Sequence, residues 1–140
     1  MITLSAVEDL KNSIISWLTS TVAKGEVGTG TTPPTENDTG LESPISGTLK
    51  NLTSYETDEE VVTFTYELDG SEADGYTISE FGLFDDAGTT LYVRRVFTGQ
   101  AVTTENEIVI QSMLWLNFEA VSYTHLRAHE TRHDLVCRLL

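Results

Sequence analysis

The chain has 140 residues, and its 22 acidic residues against eight basic ones give a formal net charge of −14. So acidic a surface repels phosphate backbones and anionic bilayers, which argues against nucleic-acid and membrane-surface partners. A single cysteine, Cys137, cannot pair within the chain, no basic segment leads into an N-terminal apolar run, and the apolar stretches are too short for a membrane span, so a soluble, one-domain protein is expected.

The first element is an amphipathic helix, predicted from about Ala6 to Val22. Ser5 to Glu8 reads S-x-x-E, a capping-box pattern, and Val7, Leu10, Ile14, Trp17 and Leu18 recur at helical spacing. Gly25 is available as a stop after Lys24. The apolar stripe packs on the domain in the simpler reading and forms an assembly surface toward a neighbouring subunit in the other. The stretch GEVGTGTTPPTENDTGLESPI, Gly25 to Ile45, is dense in turn formers. It lacks the Gly-Lys-Ser/Thr of a phosphate loop, and Pro33 and Pro34 oppose a helix after it, so a loop is predicted.

From Pro44 onward the periodicity alternates. Val62, Phe64, Tyr66 and Leu68 share one strand face, and YTISEFGLF is rich in β-formers. Leu91, Val93 and Phe97 alternate with Tyr92 and Arg94, and Ile108, Ile110, Leu114, Leu116 and Phe118 mark a long final strand. Asp85 to Thr90 supplies a hairpin turn. One such sheet alone leaves its apolar face wet, so the predicted fold is mainly β: a small antiparallel β-sandwich of five or six strands preceded by an N-terminal amphipathic α-helix.

Within this frame few residues point to chemistry. Residues 1–120 hold no His or Cys, which leaves carboxylates, hydroxyls and lysines, and nothing fixes the separation of any carboxylate pair. DGSEADG, Asp69 to Gly75, has the composition of a calcium loop. It places Ala73 where an oxygen ligand is needed and Asp74 where Gly is needed, so a solvated hairpin loop is expected instead. Glu80, inside the apolar strand, is a buried hydrogen-bonding residue, a site residue or a solvent-facing one; alternation puts it opposite the face of Phe81 and favours solvent. No catalytic, cofactor-binding or metal-ligating residue is assigned, and no enzyme activity is expected. Tyr55, Tyr76, Tyr92 and Trp115 are the aromatic candidates for an alternative function, a carbohydrate-binding β-sandwich for host-surface recognition.

Four segments carry a family resemblance: VGTGTTPP at Val27 to Pro34, DTGLESPI at Asp38 to Ile45, ISEFGLFDDAGTTL at Ile78 to Leu91, and EIVIQSMLWLNFEA at Glu107 to Ala120. In their order, residues 1–120 resemble bacteriophage tail-fibre and tail-collar N-terminal domains and related tail or baseplate appendages. ISEFGLFD is the most specific of the four. The resemblance implies a non-catalytic structural protein of the virion tail, made in the host cytoplasm, oligomeric, and partnered by other phage tail subunits. It carries over no ligand residues.

The last twenty residues differ in kind. Residues 1–120 hold 20 acidic and five basic residues (−15), whereas residues 121–140 hold Glu130 and Asp134 against three Arg (+1) and contain every His. VSYTHLRAHET, Val121 to Thr131, and LVCRLL, Leu135 to Leu140, resemble the in-frame translation of a sequencing-library adapter. Residues 121–140 are therefore set apart as a non-native, adapter-derived tail. His125, His129, His133 and Cys137 recur every fourth residue, but on one helix the outer pair would lie about 18 Å apart, so a single zinc could reach only neighbours. No metal role is expected.

Overall fold

The computed structural model describes residues 2–116 and the backbone of 135–139. Its elements are a helix α1 (Leu4–Thr21) followed by strands β1 (Val22–Gly28), β2 (Lys50–Asn51), β3 (Ser54–Asp58), β4 (Val61–Asp69), β5 (Thr77–Asp85), β6 (Leu91–Ala101), β7 (Glu107–Leu116) and β8 (Leu135–Leu139). The strands form two four-stranded sheets, β2-β1-β5-β6 and β3-β4-β7-β8, and every pairing is antiparallel. The chain visits the sheets two strands at a time. The fold is thus the expected one, mainly β with an N-terminal helix, although it has more strands than the five or six expected.

Helix α1 starts one residue after Thr3, whose extended backbone and hydroxyl, accepting from the Ala6 N–H at 3.2 Å, make it the N-cap. Ser5 and Glu8 therefore lie inside the helix and do not cap it. Its inward face carries Leu18 into the core with Ile14 and Ile15 packed beside it, while the buried Lys11 ammonium reaches Glu8 at 3.2 Å and Glu60 at 3.8 Å. The helix does not stop at Gly25. Val22 turns to an extended conformation and the chain runs directly into β1, so Val22 to Gly28 is a strand rather than the start of a loop. Gly25 is needed there for space: a Cβ would lie 2.6 Å from the Tyr66 ring and 3.0 Å from that of Phe81.

The core fills the gap between the sheets. Val62, Phe64, Tyr66 and Leu68 of β4 are almost fully enclosed, as are Ile110, Leu114 and Leu116 of β7 on the same sheet face. Opposite them stand Val27, Phe81 and Leu83, and the Phe81 ring meets Tyr66 edge-on with centroids 5.4 Å apart. Burial of such side chains contributes about 1.5–3 kcal/mol each, which makes this interlocked pair of faces the main source of stability. The Tyr66 hydroxyl satisfies itself by donating to the Thr48 carbonyl at 2.6 Å, and burial above all raises its pKa.

Two connections differ from expectation. DGSEADG does not close a hairpin; it carries the chain from β4 in one sheet to β5 in the other through a single 3-10 turn, Gly70–Glu72. The Asp69 carboxylate accepts from Ser71 N–H at 3.1 Å, and Glu72 accepts from Asp69 N–H and from Lys50 Nζ, so two of the acidic groups that suggested calcium are engaged in capping and an ion pair. The second difference lies in the segment set apart above. Leu135–Leu139 is a strand that pairs with Ser112 to Leu116 on the edge of its sheet, so that part of the segment contributes backbone to the fold. Phe118 lies outside the described residues.

Candidate functional site: a clamp at Glu80

β5 is buried on both faces from Ile78 to Phe84. Its Phe81 face meets the other sheet; its Glu80 face is covered by residues 29–49, which fold back across it. Alternation does place Glu80 opposite Phe81, but that second face is not solvent. Glu80 is fully enclosed, and the expectation of a solvent-facing carboxylate is corrected for that reason.

The enclosed carboxylate gathers four donors. Oε2 accepts from the backbone N–H of Gly30 and of Ser43, both at 2.8 Å; Oε1 accepts from the Glu42 N–H and from Arg94 Nε, both at 2.9 Å. Arg94, from β6, is itself buried and donates through Nη1 to Asp38 Oδ2 at 3.0 Å. Asp38 in turn accepts from the Thr35 N–H at 2.9 Å and from its hydroxyl at 3.1 Å. Glu42 holds the other end of the loop, accepting from the N–H groups of Thr31 and Thr32 at 2.9 and 3.1 Å and from the Thr32 hydroxyl. One charged pair thus organises a loop that has no strand or helix of its own.

Neighbours of Glu80 reinforce the clamp. The Ser79 hydroxyl donates to the Gly30 carbonyl at 2.8 Å, so adjacent residues hold both polar groups of one peptide unit's residue. A Cβ on Gly28 or Gly30 would come 2.5 Å from Glu80 Oε2, which is why the chain needs glycine at both points of approach. The loop also returns to β1: Thr29 N–H donates to the Ser43 carbonyl at 2.9 Å and Ile45 N–H to that of Val27 at 3.0 Å, on either side of a bridge between Gly28 and Pro44. Thr48, wholly buried, closes the loop by donating to the Ile45 carbonyl at 2.7 Å.

The electrostatics follow from these contacts. Burial pushes the Glu80 carboxyl up, but the N–H groups of Ser43, Glu42 and Gly30 and the Arg94 guanidinium together outweigh it and hold the pKa below the ordinary value. Burial likewise pulls Arg94 down, and its bonds to Glu80 and Asp38 overcome that to leave it raised. The Thr35 N–H lowers Asp38, and the Thr32 hydroxyl lowers Glu42. Glu26, on β1, goes the other way: partial burial raises it, and the Glu80 charge adds to the rise. With both oxygens of Glu80 already met, the arrangement is chemically that of an ionised acceptor holding backbone in place. Nη2 of Arg94 is buried without a hydrogen-bond partner among the described residues.

The other features singled out in the sequence do not gather into a site. Tyr55 and Trp115 lie on opposite faces of one sheet, since Tyr55 stands across from the core residue Phe64 and Trp115 across from Val61. Tyr92 meets Trp17 of α1 edge-on at 5.6 Å, and Tyr76 precedes β5. His125, His129 and His133 lie outside the described residues, and Cys137 sits on β8, a strand rather than the helix that the fourfold spacing assumed. Among the described residues no group of three or more His, Cys, Asp or Glu is placed to hold a metal ion, and no helix is long and apolar enough to cross a membrane. The fold and clamp define a β-sandwich, preceded by a helix, in which a long loop is fastened to the back of one sheet by a buried Glu–Arg pair. No protein-family model matches the chain, and no curated protein matches it in sequence.

Proposed function

We propose that the chain is a structural component of a bacteriophage tail appendage, a fibre, collar or baseplate part, that acts through contacts with other tail subunits. The observation that supports this reading is the meeting of separated segments at the clamp. VGTGTTPP supplies Gly30, DTGLESPI supplies Asp38, Glu42 and Ser43, and ISEFGLFD supplies Ser79 and Glu80. Three of the segments that carry the family resemblance are therefore parts of one device, and that device fastens backbone. Such a motif has reason to recur across proteins that share a scaffold while differing in surface.

The test is direct. Particles of the phage encoding the chain are purified, separated into tails and heads, and analysed by quantitative mass spectrometry. The chain is expected in tails at a fixed copy number; its absence from particles, with the protein present in infected cells, would refute the assignment. A glycan array probed with the intact chain addresses carbohydrate recognition: binding lost on Tyr55→Ala or Tyr76→Ala would replace the structural reading.

A further inference from the structure

The outer flank of α1 is a second apolar stripe beside the one that enters the core. Val7, Leu10 and Trp17, with Ile14 at the boundary where it also packs against the core, are spaced three, four and three residues apart, the alternating interval of a helix–helix seam. Leu10 and Trp17 are 52% and 50% exposed, Leu4 at the start of the helix is 72% exposed, and Val7 and Ile14 are half-buried. Trp17 is held upright by its edge-on contact with Tyr92. Along its side run Asn12, Ser13, Ser16 and Ser20, small and uncharged, which line a shallow depression with Trp17; the one charged group on its rim is Asp9, at the N-terminal end. Small flanking residues let a second helix approach closely.

Charge singles out the occupant. No acidic or basic residue occurs from Asn12 through Ala23, an interval unmatched elsewhere in the chain, and Lys11 at its border is turned inward to Glu8 and Glu60. For a basic partner the acidic faces are the attractive ones. For a second copy carrying the same −14 they repel, and the helix flank from Asn12 onward, with Glu8 and Asp9 confined to its N-terminal end, is where two chains approach while bringing the fewest like charges together.

We infer that the Leu10–Trp17 flank of α1 is a self-association surface that packs against the same flank of a second copy of this chain. This rests on the structural-subunit reading and gives it a contact surface. An 18-residue helix is about 27 Å long, and a flank about 10 Å wide offers roughly 300 Å² per copy, well under the ~800 Å² per partner of a standard interface. The association of isolated chains is accordingly weak and strengthened by salt, which screens the acidic remainder over a Debye length of about 10 Å at 0.1 M.

Sedimentation velocity on the intact chain tests it, from about 5 to 500 μM and at about 50 and 500 mM salt, a range chosen to bracket weak pairing and its screening. The expected result is a monomer at the dilute, low-salt end and reversible association at the other. Trp17→Glu and Leu10→Glu are each expected to raise Kd at least about tenfold, with far-UV circular dichroism unchanged, while Tyr55→Glu, at an exposed aromatic elsewhere, leaves Kd alone. A monomer throughout, association insensitive to both helix variants, or equal loss with Tyr55→Glu would each overturn the seam. If Trp17→Glu perturbs the helix, Ser16→Glu delivers the charge from an exposed position. A chain that never self-associates yet is found in purified tails would sink the seam and spare the virion assignment; absence from tails would sink the assignment whatever the Kd.

Discussion

Replacing Glu80 by Gln changes one oxygen to an amide nitrogen and removes one charge, and the geometry dictates a loss larger than its size implies. Whichever way the amide is turned, its NH₂ faces two donors: Gly30 and Ser43 N–H at one oxygen position, or Glu42 N–H and Arg94 Nε at the other. Each orphaned buried donor costs about 1–3 kcal/mol, and breaking one side of a buried ion pair costs about 3–5 kcal/mol. These terms overlap, because Asp38 still partners Arg94 and the loop can open to let water reach the Glu42 and Ser43 amides. A loss of about 2–4 kcal/mol is expected, a large share of the ~5–15 kcal/mol that holds a domain folded. In urea, with a slope of about 2 kcal/mol per molar, the midpoint moves down by about 1–2 M. Hydrogen exchange should show the amides of Gly30, Glu42 and Ser43 losing protection before those of β4 and β7. A midpoint within about 0.3 M of the parent, or uniform loss of protection across both sheets, would show that Glu80 does not fasten the loop.

Three further outcomes follow from the same contacts. Glu80, Asp38 and Glu42 have lowered pKa values, so the stability they contribute is present above their unfolded values of about 4.5 for Glu and 3.8 for Asp and is lost as pH falls through the folded ones; Glu26 is raised, so its contribution is unfavourable above pH 4.5. Glu26→Gln should therefore melt higher than the parent at pH 7 and no higher below pH 4, and equal melting at both would refute the assignment. Gly30→Ala forces a methyl to 2.5 Å from Glu80 Oε2 and should lower stability by about 1–3 kcal/mol in urea titration, whereas Gly40→Ala, where a Cβ meets nothing within 4 Å, should be close to neutral. Ending the chain at Ala120 removes β8 but none of the core residues between Leu18 and Leu116, so a folded chain with a freed β7 edge is expected in thermal melts, and loss of the cooperative transition would show β8 to be indispensable.

What could be read in advance is what local pattern encodes. The β4 alternation of Val62, Phe64, Tyr66 and Leu68 and the turn at Asp85 depend on neighbours in sequence, and the turn is held by Asp85 accepting from the Thr89 and Thr90 N–H groups at 2.9 and 3.0 Å. β1 was hidden because Gly25 and Gly28 read as turn formers, while their smallness answers to Tyr66, Phe81 and Glu80 far along the chain. The burial of Glu80 was hidden for the same reason: its partners Gly30, Glu42 and Ser43 lie 50, 38 and 37 residues away, and periodicity carries no information at that range. The short β2 and β3 lack an apolar rhythm, for all five β3 residues are exposed and its pairing is set by β4. Thr3 is not legible as a cap because Ser5 and Glu8 offer a pattern in the right place, and the extended backbone of Thr3 decides between the two.

The clamp also constrains where specificity can reside. A Glu80 carboxylate closed off by four donors and a buried Arg94 held by two carboxylates leave little to offer a partner, so the most distinctive motif of the sequence is internal. Surface residues are then free to vary around it, and on a chain of net charge −14 the stretch from Asn12 to Ala23 of α1 and the start of β1 carries no charge. A motif that fastens a loop and an apolar helix flank exposed on an acidic chain answer to different requirements. The first keeps residues 29–49 on a sheet; the second, exposed at a cost in solubility, is what the proposed contact with a second copy would cover.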